Sequence, residues 1–144
     1  MRLFAILLFA TFILSAAEKK IQIKDLPPAV QKAVQEQSAG ATIKGFSKET
    51  EKGATTYEAE MLVDGHTKDV SFDPSGKVVG IEEEVGLDSV PAQVKAAIEK
   101  ATSGGKIKKV EKVSEGGTTS YEASYTKAGR RHEVAVKSDG SPLK

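Results

Sequence analysis

No cysteine occurs in the 144 residues, and neither tryptophan nor asparagine does. Without a thiol the chain has no disulfide, no thiolate metal site, no cysteine nucleophile and no thioether-linked lipid anchor. Without asparagine there is no N-glycosylation acceptor. Histidine appears only twice, as His66 and His132, which leaves too few imidazoles for a site built on several of them. Charge of one sign is also missing: 21 Lys and Arg stand against 20 Asp and Glu. That balance gives none of the basic footprint that nucleic-acid binding requires. After Leu14 no stretch is apolar enough to span a bilayer.

The one long apolar run, Leu3 to Leu14, follows Arg2 and precedes Ser15-Ala16-Ala17. As a helix its 12 residues would rise about 18 Å, short of the roughly 30 Å of a bilayer core. A positive start, a short apolar centre and small residues before Glu18 predict a secretory signal over residues 1–17. The protein is therefore expected to be secreted or periplasmic, with no membrane contact after cleavage.

The remainder is internally repeated. A shift of 64 residues aligns 26–80 with 90–144 without a gap and gives 16 identities in 55 pairs. They include Pro27/Pro91, Val30/Val94, Ala33/Ala97, Gly40/Gly104, Tyr57-Glu58-Ala59 against Tyr121-Glu122-Ala123, Gly65/Gly129 and Gly76/Gly140. These are turn glycines, helix-start prolines and apolar positions, the residues that specify a fold. In the first unit Leu26-Pro27-Pro28 opens a helix whose apolar stripe is Val30, Ala33, Val34 and Gln37, and Gly40 stops it. In the second, Val94, Ala97, Ile98 and Ala101 make the stripe. Strands follow at Thr42–Thr50, around Tyr57–Val63, at Lys68–Phe72 and at Lys77–Glu83, with a hairpin at Asp64-Gly65. The apolar residues of the first strand lie three apart, Ile43 and Phe46 in one unit and Ile107 and Val110 in the other, which predicts a bulge or burial on both faces. The fold class is thus α+β: two tandem αββββ repeats, each a short helix on an antiparallel sheet. The expected organisation is a signal over 1–17, a first repeat over 18–84, a linker over 85–89 and a second repeat over 90–144.

The pattern Leu26-Pro27-x-Ala29-Val30, Gly40-Ala41-x-Ile43, Tyr57-Glu58-Ala59, Asp64-Gly65 and Phe72-Asp73-Pro74-Ser75-Gly76-Lys77-Val78 resembles the PepSY-like family, in its β-lactamase-inhibitor-like branch. The second repeat departs from it at Val136-Lys137-Ser138-Asp139-Gly140. The resemblance implies tandem units of one shape; it does not carry an activity with it, because fold does not fix function.

Catalytic, cofactor and metal sites are not expected. His66 and His132 sit beside turns and are not repeat equivalents. Glu82-Glu83-Glu84 with Asp88 nearby lacks the loop that calcium requires, because alternate strand side chains point to opposite faces. These glutamates read as an exposed strand end. Glu58 and Glu122 recur in both units, which suits a fold role better than a single active site. Charge is split along the chain: residues 18–89 carry 9 basic and 14 acidic residues, and 90–144 carry 11 and 6.

The chain therefore reads as a non-enzymatic exported binding module, with an exported peptidase or hydrolase as the partner to be occluded. A structural or envelope-stress protein, or a binder of a small ligand or ion between the repeats, is the alternative. The residues expected to meet a partner are Lys108, Lys109, Arg130 and Arg131, for steering, and Glu58, Glu60 and Leu62 on the open sheet face. N-terminal sequencing of the exported protein should begin at or within a few residues of Glu18; recovery of the intact chain in the cytosol would contradict the signal.

Overall fold

The computed structural model describes residues 19–143; the expected signal over 1–17 and its cleavage point at Glu18 lie outside the described residues. The elements run β1 (Lys19–Ile21), α1 (Pro28–Gln37), β2 (Thr42–Glu51), β3 (Ala54–Val63), β4 (His66–Phe72), β5 (Val78–Glu84), α2 (Ala92–Ala101), β6 (Lys106–Glu115), β7 (Thr118–Lys127) and β8 (Arg130–Lys137). A short 3-10 turn precedes each helix, at Ile23–Asp25 and Leu87–Ser89.

Each helix starts directly after a proline, Pro27 or Pro91, whose fixed φ suits entry into the first turn. Val30 and Val34, or Val94 and Ile98, stand one turn apart and are fully enclosed. Ten-residue helices are marginal alone, so each exists because that stripe is buried. The second stripe ends differently from the sequence expectation. Ala101 is exposed, and Thr102 is buried in its place with its hydroxyl donating to the Ile98 carbonyl at 2.9 Å. The helix thus closes on a side-chain hydrogen bond instead of a further apolar contact.

The strands form one eight-stranded antiparallel sheet in chain order, β1 to β8. One continuous sheet therefore spans both halves of the chain. Four strands follow α1, but three follow α2, with a single bridge between Val136 and Pro142 where a fourth would begin. The two halves are joined through β5, which pairs with β4 on one side and with β6 on the other. Equivalent strands start 64 residues apart, and the expected bulge falls at equivalent places, between Ile43 and Gly45 and between Ile107 and Lys109. Residues 85–89 are not a free linker: the Val85 amide donates to the Val110 carbonyl at 2.9 Å, extending the joint.

Cross-strand partners share a face, so the registers divide the sheet cleanly. Ile21, Phe46, Ala59, Val70 and Ile81 form one apolar row, and Val110, Ala123 and Val134 form another. They belong to two clusters, one around α1 with Met61 and Phe72, the other around α2 with Tyr121 and Val136. Both helices therefore lie on the same face, and no described element covers the other.

The turns after β4 and β8 press onto the first turn of the helices. A Cβ built at Gly76 would lie 2.5 Å from the Ala29 carbonyl oxygen, and one at Gly140 2.6 Å from that of Gln93. Both glycines also have positive φ, 83° and 82°. Gly76→Ala should destabilise by about 2–4 kcal/mol, the sum of left-handed strain and overpacking. Gly53→Ala, with φ of 82° but open space around it, should lose only about 1–2 kcal/mol. Denaturant midpoints of the two variants check this; equal losses would mean that the turn-to-helix contact is not rigid.

Candidate functional site

The uncovered sheet face is rich in carboxylates. Two rows cross it. Glu60 on β3 stands opposite Asp69 on β4, which stands opposite Glu82 on β5. Glu84 on β5 stands opposite Glu111 on β6, which stands opposite Glu122 on β7. Like charges in opposed positions are unfavourable, yet here they run through the middle of the sheet. In so wide a sheet each side chain is flanked on both sides, so all six of these acids are partly buried without any covering layer. Val113, opposite Glu82, is enclosed on this face by its neighbours alone and belongs to neither helix-side cluster.

Asp69, Glu82 and Glu111 come closest, with a carboxylate oxygen of each lying within 4.8 Å of the others. Burial raises Asp69 to about 6, with Lys109 opposing and Glu60 adding to the rise. Burial raises Glu82 to about 7, with Glu111 and Asp69 adding. Glu122 also rises to about 7, by burial first and then through Glu82 and Glu111. Glu84, by contrast, is held below its ordinary value because it accepts the Thr67 backbone amide at 3.0 Å. A calcium ion asks for six to eight oxygens wrapped around it, and three carboxylates on neighbouring strands do not make that shell.

The residues singled out in the sequence fall in several places. Glu58, Glu60 and Leu62 lie on the open face, at positions opposite Ser71, Asp69 and Thr67. Lys109 joins them but is bound to Glu111 at 2.6 Å. Arg131 is bound to Glu133 at 2.9 Å on the same face. Lys108 sits in the bulge and is exposed, and Arg130 faces the helix side, opposite Lys127. The four basic residues are therefore dispersed, and two are already neutralised. Glu82 is a correction: it was expected at an exposed strand end and is instead half-buried at the centre of the acidic face, while Glu83 turns to the other side and meets Lys68 at 3.7 Å. His66 lies 3.6 Å from Glu84, and His132 stacks on Tyr125 with centroids 5.3 Å apart. Glu111 and the Asp69–Glu82 opposition were missed. The Asp69–Glu82 opposition follows from the β4–β5 register, and Glu111 joins them only through the β5–β6 register, which no residue pattern within one unit reveals.

Comparison with known proteins supports the architecture. A family model described as "Putative beta-lactamase-inhibitor-like, PepSY-like" matches residues 13–62 and 55–143. A protein of Bacteroides eggerthii whose structure is described as that of a putative periplasmic protein superposes with TM-score 0.68 at 22% identity, over 83% of this chain and 86% of its own. A DUF2874 family protein from Bacteroides uniformis gives 0.65 at 21%, over 82% and 86%. A BLIP-like protein from Bacteroides fragilis gives 0.61 at 21%, over 83% and 84%. At these identities the likeness is one of fold. No curated protein matches the chain. Among the described residues no helix is long and apolar enough to cross a membrane.

The raised carboxyls have a stability consequence. A group with a higher pKa folded than unfolded binds more protons in the folded state, so its contribution is fully present below the unfolded value and is lost as pH rises to the folded one. For Glu82 and Glu122 that window runs from about 4.5 to about 7. Screening at these partly solvated positions reduces the loss to about 1 kcal/mol each. Stability should therefore fall between pH 5 and pH 8, and Glu122→Gln should flatten part of the fall. Urea midpoints across that range test it; a pH profile identical in the wild type and Glu122→Gln would show that Glu122 is not raised.

Proposed function

Because the chain belongs to the putative β-lactamase-inhibitor-like, PepSY-like family, we propose that it is an exported, non-enzymatic protein-binding module that occludes an extracytoplasmic peptidase or hydrolase with its open sheet face. The single observation that supports this most is the uncovered face itself: eight strands wide, with both helices packed on the opposite side. A face of that breadth can seat a protein partner. In this reading residues 18–84 and 90–144 are two copies of one unit, each a helix on antiparallel strands. Their join makes the surface continuous. The periplasmic description of the Bacteroides eggerthii protein supports an envelope or extracellular setting.

Glu58, Glu60 and Leu62 stand on β3 in the first half of the face, and Lys109 and Arg131 stand in its second half. Lys108 and Arg130 are exposed at the rim and act on encounter more than on the bound state. The absence of tryptophan limits the available anchors. Contact over many modest side chains is the mode this face supports.

Immobilised protein lacking residues 1–17 should capture an exported protein from its own secretome and reduce that partner's hydrolytic activity. Glu58→Lys with Leu62→Arg should abolish capture, while Lys32→Glu with Glu36→Lys on the exposed side of α1 should leave it intact. Replacement of Lys108, Lys109, Arg130 and Arg131 by Glu should slow association, and less so at physiological salt than at low salt. Capture that survives the first pair and fails with the second would move the binding surface to the helix side.

A further inference from the structure

The join between the two halves is also where the open face opposes its acids most tightly. β5 and β6 pair over five positions, from Gly80 opposite Glu115 to Glu84 opposite Glu111. Glu82 lies within the same stretch, between Asp69 on β4 and Val113 on β6. The trio Asp69, Glu82 and Glu111 therefore straddles the joint from β4 to β6, its oxygens within 4.8 Å of one another. Asp69 and Glu82 are both held above the ordinary carboxyl range, by burial first and then by neighbouring carboxylates.

The surroundings do little to relieve this. Glu58 and Glu60 on β3, Glu84 on β5, Glu115 on β6 and Glu122 on β7 face the same side and add negative charge, while Glu133 on β8 is paired there with Arg131. Lys109 on β6 is the nearby cation, and it is held by Glu111 at 2.6 Å. Lys137 on β8 lies in the row of Val113, beyond Ser120, and is exposed. Beside the joint the Val85 amide donates to the Val110 carbonyl and extends the pairing, and on the opposite face Glu83, which meets Lys68 at 3.7 Å, stands opposite Lys112.

We propose that the β5–β6 joint is a proton-controlled coupling between the two halves of the sheet: a proton on Glu82, at the centre of the Asp69–Glu82–Glu111 cluster, locks the strands together, and its loss loosens them. A protonated Glu82 donates its O–H to a neighbouring carboxylate and draws β4, β5 and β6 together. Deprotonation leaves three negative charges across a short pairing that no layer covers. The backbone pairing, continued by the Val85 amide onto the Val110 carbonyl, keeps the halves attached while the open-face edge of the joint relaxes. Burial and mutual repulsion place this change near neutrality, with Glu82 at about 7 and Asp69 at about 6. The coupling does not depend on what the face binds, although any partner seated there would meet a flatter and more rigid surface at the lower pH.

Hydrogen exchange of the full chain, read residue by residue at pH 5.5 and pH 8.0 and corrected for intrinsic rates, tests this directly. Amides of Gly80–Glu84 and Glu111–Glu115 should lose about tenfold in protection between the two pH values, relative to the β2–β3 amides of Phe46–Thr50 and Thr55–Ala59. Glu82→Gln, an uncharged isostere of the protonated acid, should abolish the difference. Carbon-detected titration of the wild-type side chains keeps the test independent of that variant's folding: Glu82 should titrate near neutrality. Equal changes in protection at the joint and in β2–β3, a pH effect that survives in Glu82→Gln, or a Glu82 midpoint at the ordinary glutamate value would each overturn the proposal.

Discussion

The pairing of β5 with β6 is the contact on which the rest of the molecule depends. It sets register as well as adjacency. Ile81 falls on the same face as Val70, and Val85, tied to Val110, falls on the same face as Ala123. A slip of one residue would turn every side chain of the second half over and send α2 to the opposite side. With the register as it is, both helices pack on one face, and the other is left bare across eight strands. Strand β5 belongs to both halves at once, as the fourth strand after α1 and as the strand that precedes α2. The start of β1 repeats this in miniature: Lys19 opposite Lys48 is the 64-residue counterpart of Glu83 opposite Lys112.

The same pairing creates the electrostatic character of the bare face. Each half alone would carry a few carboxylates near an edge, where water reaches them. Joined, they sit in the middle of a wide sheet and lose solvent to one another. Glu84 shows the alternative, since a backbone amide satisfies it and its pKa falls. Glu82 and Glu122 have no such donor among their causes of shift, and they rise. A surface that carries unrelieved charge at neutral pH is unfavourable for folding but well placed for recognition, because a partner's cations can supply what the fold does not.

Much of this was legible in the sequence at the level of one unit. Proline before each helix, paired valines one turn apart, Tyr-Glu-Ala in both copies and the Asp-Gly hairpin gave the elements, and the three-residue apolar spacing at Ile43 and Ile107 announced the bulge. The assembly of units was not legible, because strand pairing between distant segments leaves no local pattern. Glu82 therefore looked like a strand end, when pairing on both sides makes β5 an interior strand. Asp69 and Glu111 lie 42 residues apart in the chain and meet only through that strand. Ala101 misled for a simpler reason: helical periodicity extended the apolar stripe by one position, whereas Thr102 ends the helix by bonding back to Ile98.

If β5 is structurally common to both halves, neither half should melt without the other. Differential scanning calorimetry of the full chain at pH 5.5, below the raised values of Asp69 and Glu82, tests that most directly. The account predicts a single transition whose calorimetric and van't Hoff enthalpies agree. Two resolved transitions, or a van't Hoff enthalpy near half the calorimetric value, would show that the halves fold independently and that the β5–β6 pairing is incidental.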